Sequence, residues 1–182
     1  MSARCQVWTV IAAVTVAGTF AADAAAEEVT PAVPIVRRVI VSIADRQLVV
    51  VENGEAVEWY AVAVGADATP SPVGTFTIVN RITDPTYYRP GKVVPPGPGN
   101  PLGTRWIGLS QKGYGIHGTD VPQSIGKARS QGCIRLRNAD LERLFERVRP
   151  GDVVELHAER TPGIESYFTP VTVVRASTVA AR

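Results

Sequence analysis

Sulfur and histidine are scarce in this chain, which holds two cysteines, one methionine and two histidines. Cys5 precedes an apolar amino-terminal stretch and is expected to leave with it, so the mature protein keeps Cys133 alone and forms no internal disulfide. Cys5 also comes too early to be a lipid-modified residue, and no lipid anchor is expected. His117 and His157 lie far apart and only one cysteine remains to join them, so no metal-ligand spacing occurs and no cofactor is called for. Runs of one charge are missing as well: 19 basic residues interleave with 17 acidic ones for a formal charge of +2. That balance leaves no electrostatic case for nucleic acid. No membrane span is expected after signal cleavage, because the apolar stretch over 7–20 falls short of the roughly 20 residues a bilayer requires.

What that stretch does contain is an export signal. Arg4, the apolar run and a small-residue end closing on Ala24-Ala25-Ala26 predict a signal peptide over 1–26 with an Ala-x-Ala cleavage site. The mature protein is accordingly expected to be exported, periplasmic or cell-wall associated. Residues 27–37 carry Pro31 and Pro34 and read as a flexible lead-in. One catalytic domain is expected over 38–158, followed by a carboxy-terminal tail over 159–182.

Within that domain, segments rich in β-branched and aromatic residues predict strands over 39–43, 47–51, 57–64 and 75–79, joined as an antiparallel meander. Asp45-Arg46 and Asn53-Gly54 sit at hairpin spacing, the latter supplying the positive φ angles such turns require. Further short strands are expected at 106–109, 114–117, 133–136 and 153–157. Residues 83–103 carry six prolines, Pro85, Pro90, Pro95, Pro96, Pro98 and Pro101, and read as a long insertion, either a cleft wall or an unstructured loop. Asn138 is expected to cap a helix whose Leu141, Leu144, Phe145 and Val148 form one apolar stripe.

The reactive residues are concentrated. Gly113-Tyr-Gly-Ile-His117-Gly-Thr is followed, after a short loop, by Ser130-Gln-Gly-Cys133-Ile-Arg-Leu-Arg-Asn138. A thiol is mostly protonated at neutral pH, so a nucleophilic cysteine needs a base or a cation beside it. His117 can be that base. Gly132 permits a tight turn whose N–H groups could face an oxyanion. If 133–137 is extended, Cys133, Arg135 and Arg137 share one face, and the Arg135 guanidinium can favour the thiolate or grip a substrate carboxylate. His157, with no nucleophile near it in sequence, reads as structural. Taken singly, each of these residues suits an inert core; a lone exported thiol, a Gly-flanked histidine and a cation at strand spacing together suit an activated site.

These residues resemble the YkuD family of L,D-transpeptidases, especially its periplasmic ErfK/YbiS-like branch. The likeness is carried by Ile40-Val-Ser-Ile-Ala-Asp45-Arg-Gln-Leu48, Thr69-Pro-Ser-Pro-Val-Gly-Thr-Phe76, Leu102-Gly-Thr-Arg105, Ile116-His-Gly-Thr119 and the string from Ser130 to Asn138. It implies a mainly β domain, an L,D-transpeptidase-like β-sandwich with one packed α-helix. It also implies attack by Cys133 on a peptidoglycan stem after the L-centre of its third residue, with loss of D-alanine. The thioester would pass to an amine of a second stem or of a wall-anchored lipoprotein. By the same resemblance His117 is general base and acid, the Gly118 carbonyl orients it, Gly132 contributes to an oxyanion hole, and Tyr114, Ser130, Gln131 and Arg135 line the substrate site. Gln131 stands where the family commonly has a second histidine. Two other classes stay open: a wall-peptide cysteine hydrolase such as an L,D-carboxypeptidase, and a catalytically silent wall-binding protein.

Overall fold

The computed structural model describes residues 35–168; the expected signal peptide, most of the lead-in and the chain after Phe168 lie outside them. In chain order the strands are β1 (Arg37–Ser42), β2 (Gln47–Glu52), β3 (Glu55–Ala61), β4 (Val64–Gly65), β5 (Gly74–Thr83), β6 (Tyr87–Arg89), β7 (Lys92–Val94), β8 (Arg105–Leu109) and β9 (Gly115–His117). A 3₁₀ turn (Pro122–Ser124) leads to β10 (Ala128–Ser130) and β11 (Ile134–Arg135), then α1 (Asn138–Arg147), β12 (Val153–His157) and α2 (Pro162–Phe168). Eight strands make one curled sheet in the order β11-β9-β8-β5-β12-β1-β2-β3. The mainly β character and the packed α1 follow the expectation.

The two amino-terminal turns form as their residues dictate. Asn53 and Gly54 take φ of 52° and 90°, and Arg46 takes 55°, the left-handed angles that reverse a hairpin without splaying its strands. The meander, however, ends at β3. β5 does not follow it; β12 lies between β1 and β5, pairing β1 in parallel with Val39 opposite Val154 and β5 antiparallel with Val154 opposite Phe76. Strand propensity marks a segment as extended but carries no record of which distant segment will pair with it. The expected strand over 57–64 is likewise divided. Val62 and Ala63 leave the β2 ladder, and Ala63 exchanges two hydrogen bonds with Arg135 instead.

The middles of β1 and β2, residues 39–41 and 48–51, are unbroken apolar runs because both of their faces are covered. Val39, Val41, Leu48 and Val50 join the main core with Leu141, Leu144 and Val148 of the α1 region. Ile40, Val49 and Val51 point the other way and meet Ile164 and Phe168 of α2. Each fully buried aliphatic side chain contributes about 1.5–3 kcal/mol of transfer free energy. The expected tail therefore begins too early, since α2 within 159–182 seals the second face of the sheet. Arg37, placed in the lead-in by sequence, opens β1 and bonds Glu52 at 2.9 Å and Asp152 at 3.2 Å. Asn138 also departs from expectation. It is the first residue of α1, no side chain caps that end, and its Oδ1 accepts the Thr119 N–H at 3.0 Å.

The proline-rich insertion is a cleft wall, built around a small hairpin. β6 and β7 pair with Tyr87 opposite Val94 and Arg89 opposite Lys92. Asn100, buried at the hairpin base, shares its amide protons among the carbonyls of Pro85 (2.7 Å), Pro95 (3.1 Å) and Val94 (3.2 Å). Its Oδ1 accepts the Leu102 N–H at 2.8 Å.

Candidate active site

A cleft of about 670 Å³ opens between the insertion and the ends of β8, β9 and β11, and His117, Gln131, Cys133 and Arg135 all border it. Their convergence follows from strand register. β9 and β11 pair in parallel with Ile116 opposite Ile134 and His117 opposite Arg135. Ile116, Ile134 and Leu136 point into the core, so the alternate positions, Cys133, His117 and Arg135, are left to the cleft side. Arg135 is pinned by backbone bonds to Ala63 in both directions at 2.9 Å, and the Leu136 N–H donates to the His117 carbonyl at 2.9 Å.

His117 is 5% exposed and its ring stacks on Trp106 of β8, with centroids 5.8 Å apart and planes 21° from parallel. Nδ1 lies 2.6 Å from the carbonyl oxygen of Gly118. A carbonyl can only accept, so Nδ1 carries the proton and the lone pair is on Nε2. Burial holds the imidazole pKa down to about 4, from 6.5; the Gly118 bond works against this and the Arg135 charge adds to it. At neutral pH the ring is thus an uncharged base.

Cys133 is half-buried and free. Burial pushes its thiol up, opposed by a backbone hydrogen bond from Gly115 and by Arg135; its Sγ also lies 3.7 Å from the Gly113 carbonyl. A neutral thiol and a neutral imidazole, both bordering the cleft, are the resting groups these shifts describe. The Arg135 guanidinium has no ion-pair partner among the described residues, and its Nε is buried without a hydrogen bond. It is available to an anionic ligand.

The turn before Cys133 is tight, as expected, and is braced from within. Gly132 has φ of 104°, and a Cβ there would stand 2.6 Å from the Tyr114 ring, so glycine is required twice over. Its N–H, expected in an oxyanion hole, donates to Ser130 Oγ at 3.0 Å. Ser130 Oγ in turn donates to the Cys133 carbonyl at 2.5 Å, so this hydroxyl clamps the turn, and Ser130, expected at the substrate, also borders the cleft. Tyr114, also expected at the substrate, packs over Gly132 and does not border the cleft. Arg137 turns outward toward Asp140, 4.0 Å away, and His157 bonds Glu155 at 3.1 Å away from the cleft.

Sequence reasoning passed over three contributors. Trp106 was assigned only to a strand, although an aromatic directly across the β8–β9 ladder from His117 could have been found from the pairing of two short neighbouring strands. Thr69 Oγ1 donates to the Ser130 carbonyl at 3.1 Å, and Ser71 Oγ accepts the Gly65 N–H at 2.9 Å; together they hold the loop before β5 against the Cys133 turn. Both lie in the string over 69–76 that carried the family likeness, but nothing in that string says which distant backbone groups their hydroxyls meet.

Residues 36–156 match the family described as YkuD, L,D-transpeptidase catalytic domain. A Bacillus licheniformis protein named as the L,D-transpeptidase YkuD is 42% identical over 119 residues, which make up 65% of this chain and 64% of that protein. The Salmonella typhimurium protein named as the L,D-transpeptidase ErfK/SrfK is 35% identical over 134 residues, 65% of this chain and 43% of that protein. The chain thus spans just under two thirds of the first relative and under half of the second. Among solved structures, L,D-transpeptidase 3 of Mycobacterium tuberculosis in complex with a faropenem-derived adduct superimposes with a TM-score of 0.58 at 17% identity, over 68% of this chain and 60% of that one. That likeness is one of fold.

Proposed function

This chain belongs to the YkuD family of L,D-transpeptidase catalytic domains, and from that premise we propose that it is an exported cysteine acyltransferase acting on peptidoglycan stem peptides. The observation that carries the reading is the meeting, in one cleft, of a free thiol, an uncharged imidazole of defined tautomer and a guanidinium with no ion-pair partner among the described residues. Nε2 of His117 takes the Cys133 proton as Sγ attacks the carbonyl at the L-centre of the third stem residue. The tetrahedral adduct collapses, the D-alanine nitrogen takes the proton back from His117, and a thioester remains on Cys133. An acceptor amine then attacks the thioester, yields its proton to Nε2, and the thiol is restored as the new amide forms. The acceptor is the side-chain amine of a second stem or a lysine of a wall-anchored lipoprotein; water in its place gives the carboxypeptidase reaction.

Proton transfer is concerted with attack in this scheme. A raised thiol and a depressed imidazole make a preformed thiolate–imidazolium pair unfavourable. Arg135 receives a carboxylate of the stem, and the signal over 1–26 delivers the enzyme to the periplasm or wall where such stems occur.

The test is intact-mass analysis of the mature protein after incubation with a tetrapeptide stem or with faropenem, the β-lactam source of the mycobacterial adduct. The expected result is one adduct confined to Cys133 and absent in Cys133→Ala. A folded wild-type protein that gains no mass from either compound would refute the enzyme and leave a silent wall-binding protein. Release of hydrolysed stem alone, with a competing amine present, would assign the hydrolase.

A further inference from the structure

We propose that Asn138 is a positioning residue for His117, acting through the peptide group that joins Gly118 to Thr119. The carbonyl of that peptide accepts the His117 Nδ1 proton at 2.6 Å, and the N–H of the same peptide donates to Asn138 Oδ1 at 3.0 Å. One amide plane is therefore held at both ends, in the order Asn138 Oδ1, H–N–C=O, H–Nδ1. An acceptor on the N–H side draws charge through the amide and makes its oxygen a better acceptor. A better acceptor at Nδ1 favours the Nδ1–H tautomer and strengthens Nε2 as a base. This inference rests on the reading of His117 as the base.

Space around the amide oxygen is reserved by two separate glycines. A Cβ on Gly118 would fall 2.1 Å from Asn138 Oδ1, and one on Gly103, whose φ is 64°, would fall 2.0 Å from it. Segments far apart in the chain thus both lack a side chain where this one oxygen sits. Asn138 is itself anchored by α1, whose Leu141 and Leu144 are fully buried, so the acceptor is presented from a rigid element.

Asn138 is uncharged. The titratable groups facing His117 are the Cys133 thiol and Arg135 on the β11 side, and Tyr87, Tyr88, Arg89 and Lys92 on the hairpin across the cleft; β8 contributes the neutral Trp106.

The experiment uses the mature chain with Asn138→Ala and Asn138→Asp. It reads the His117 ring ¹⁵N shifts in the resting protein, the thermal unfolding midpoint, and the pH profile of Cys133 acylation by faropenem. Wild type is expected to hold His117 as the Nδ1–H tautomer. Asn138→Ala should populate the Nε2–H form, slow acylation roughly 10–100-fold, by analogy with loss of an outer partner of a metal-ligating histidine, and move the acid limb to lower pH. Asn138→Asp keeps the acceptor and adds charge, so it should restore the Nδ1–H tautomer and move the limb to higher pH. The proposal is overturned if wild type carries Nε2–H, or if both variants lose rate only in proportion to stability with tautomer and limb unchanged. Where Asn138→Ala does not fold, Asn138→Asp decides alone: an acid limb that stays at the wild-type pH overturns the proposal. A wild type that resists acylation refutes the enzyme reading, whereas the ring shifts still judge this one.

Discussion

Burial makes His117 useful by denying it a charge. Its pKa of about 4 keeps the base ready well below neutrality, so the acid limb of Cys133 acylation should centre nearer 4 than 6.5; a limb at 6.5 in a pH profile of kcat/KM would refute the assignment. The same shift affects stability with a definite sign. The unfolded chain protonates His117 near 6.5 while the folded chain declines the proton to about 4, so the residue's stabilisation is complete above 6.5 and is lost as pH falls through that window. Replacing His117 by Ala should slow acylation by about 10²–10⁴-fold, the usual scale of a general base. His157→Ala should leave the rate within about twofold, since His157 only bonds Glu155; single-turnover rates that fall equally would remove the distinction.

Elements position these residues by register and by wedging. α1 presents Asn138, β8 presents Trp106, and the insertion roofs the cleft through the β6–β7 hairpin. Asn100 is the keystone of that roof, and Asn100→Ala leaves three carbonyls without their donor. A loss of about 1–3 kcal/mol is expected there. The hairpin should then open locally, raising KM for a stem peptide about 10-fold with kcat little changed, and raising amide hydrogen exchange over 84–103. Unaltered exchange in that segment would show that the roof does not depend on Asn100. This hairpin was not legible in the sequence. Its strands are three residues each, too short for any alternation, and its fold is held by one buried amide reaching carbonyls that precede it in the chain.

At the scale of the whole molecule, the sheet is stable because both faces of β1 and β2 are covered, one by the main core and one by α2. Ile164→Ala should cost about 2–4 kcal/mol, as for other buried Ile truncations, read as a lower urea midpoint. α2 packs on β2 and β3, and no residue of those strands borders the cleft. Acylation measured well below the unfolding transition should therefore be unchanged; a parallel loss of rate would mean that α2 supports the site.

Composition, strand propensity and the helix stripe were enough to determine a mainly β domain and the packed α1, and the Gly-rich strings around His117 and Cys133 determined which residues have the chemistry to form a site. These properties are local, carried by neighbouring residues. The tertiary structure alone decided that β12 runs between β1 and β5, that α2 belongs to the fold, and that the Gly132 N–H donates to Ser130 Oγ across the turn before Cys133. It also decided that Asn138 reaches Thr119 instead of capping its helix. Each of these depends on which distant segment supplies a hydrogen-bond partner or an apolar face, and a polar side chain with several possible partners does not record in sequence which one it will meet.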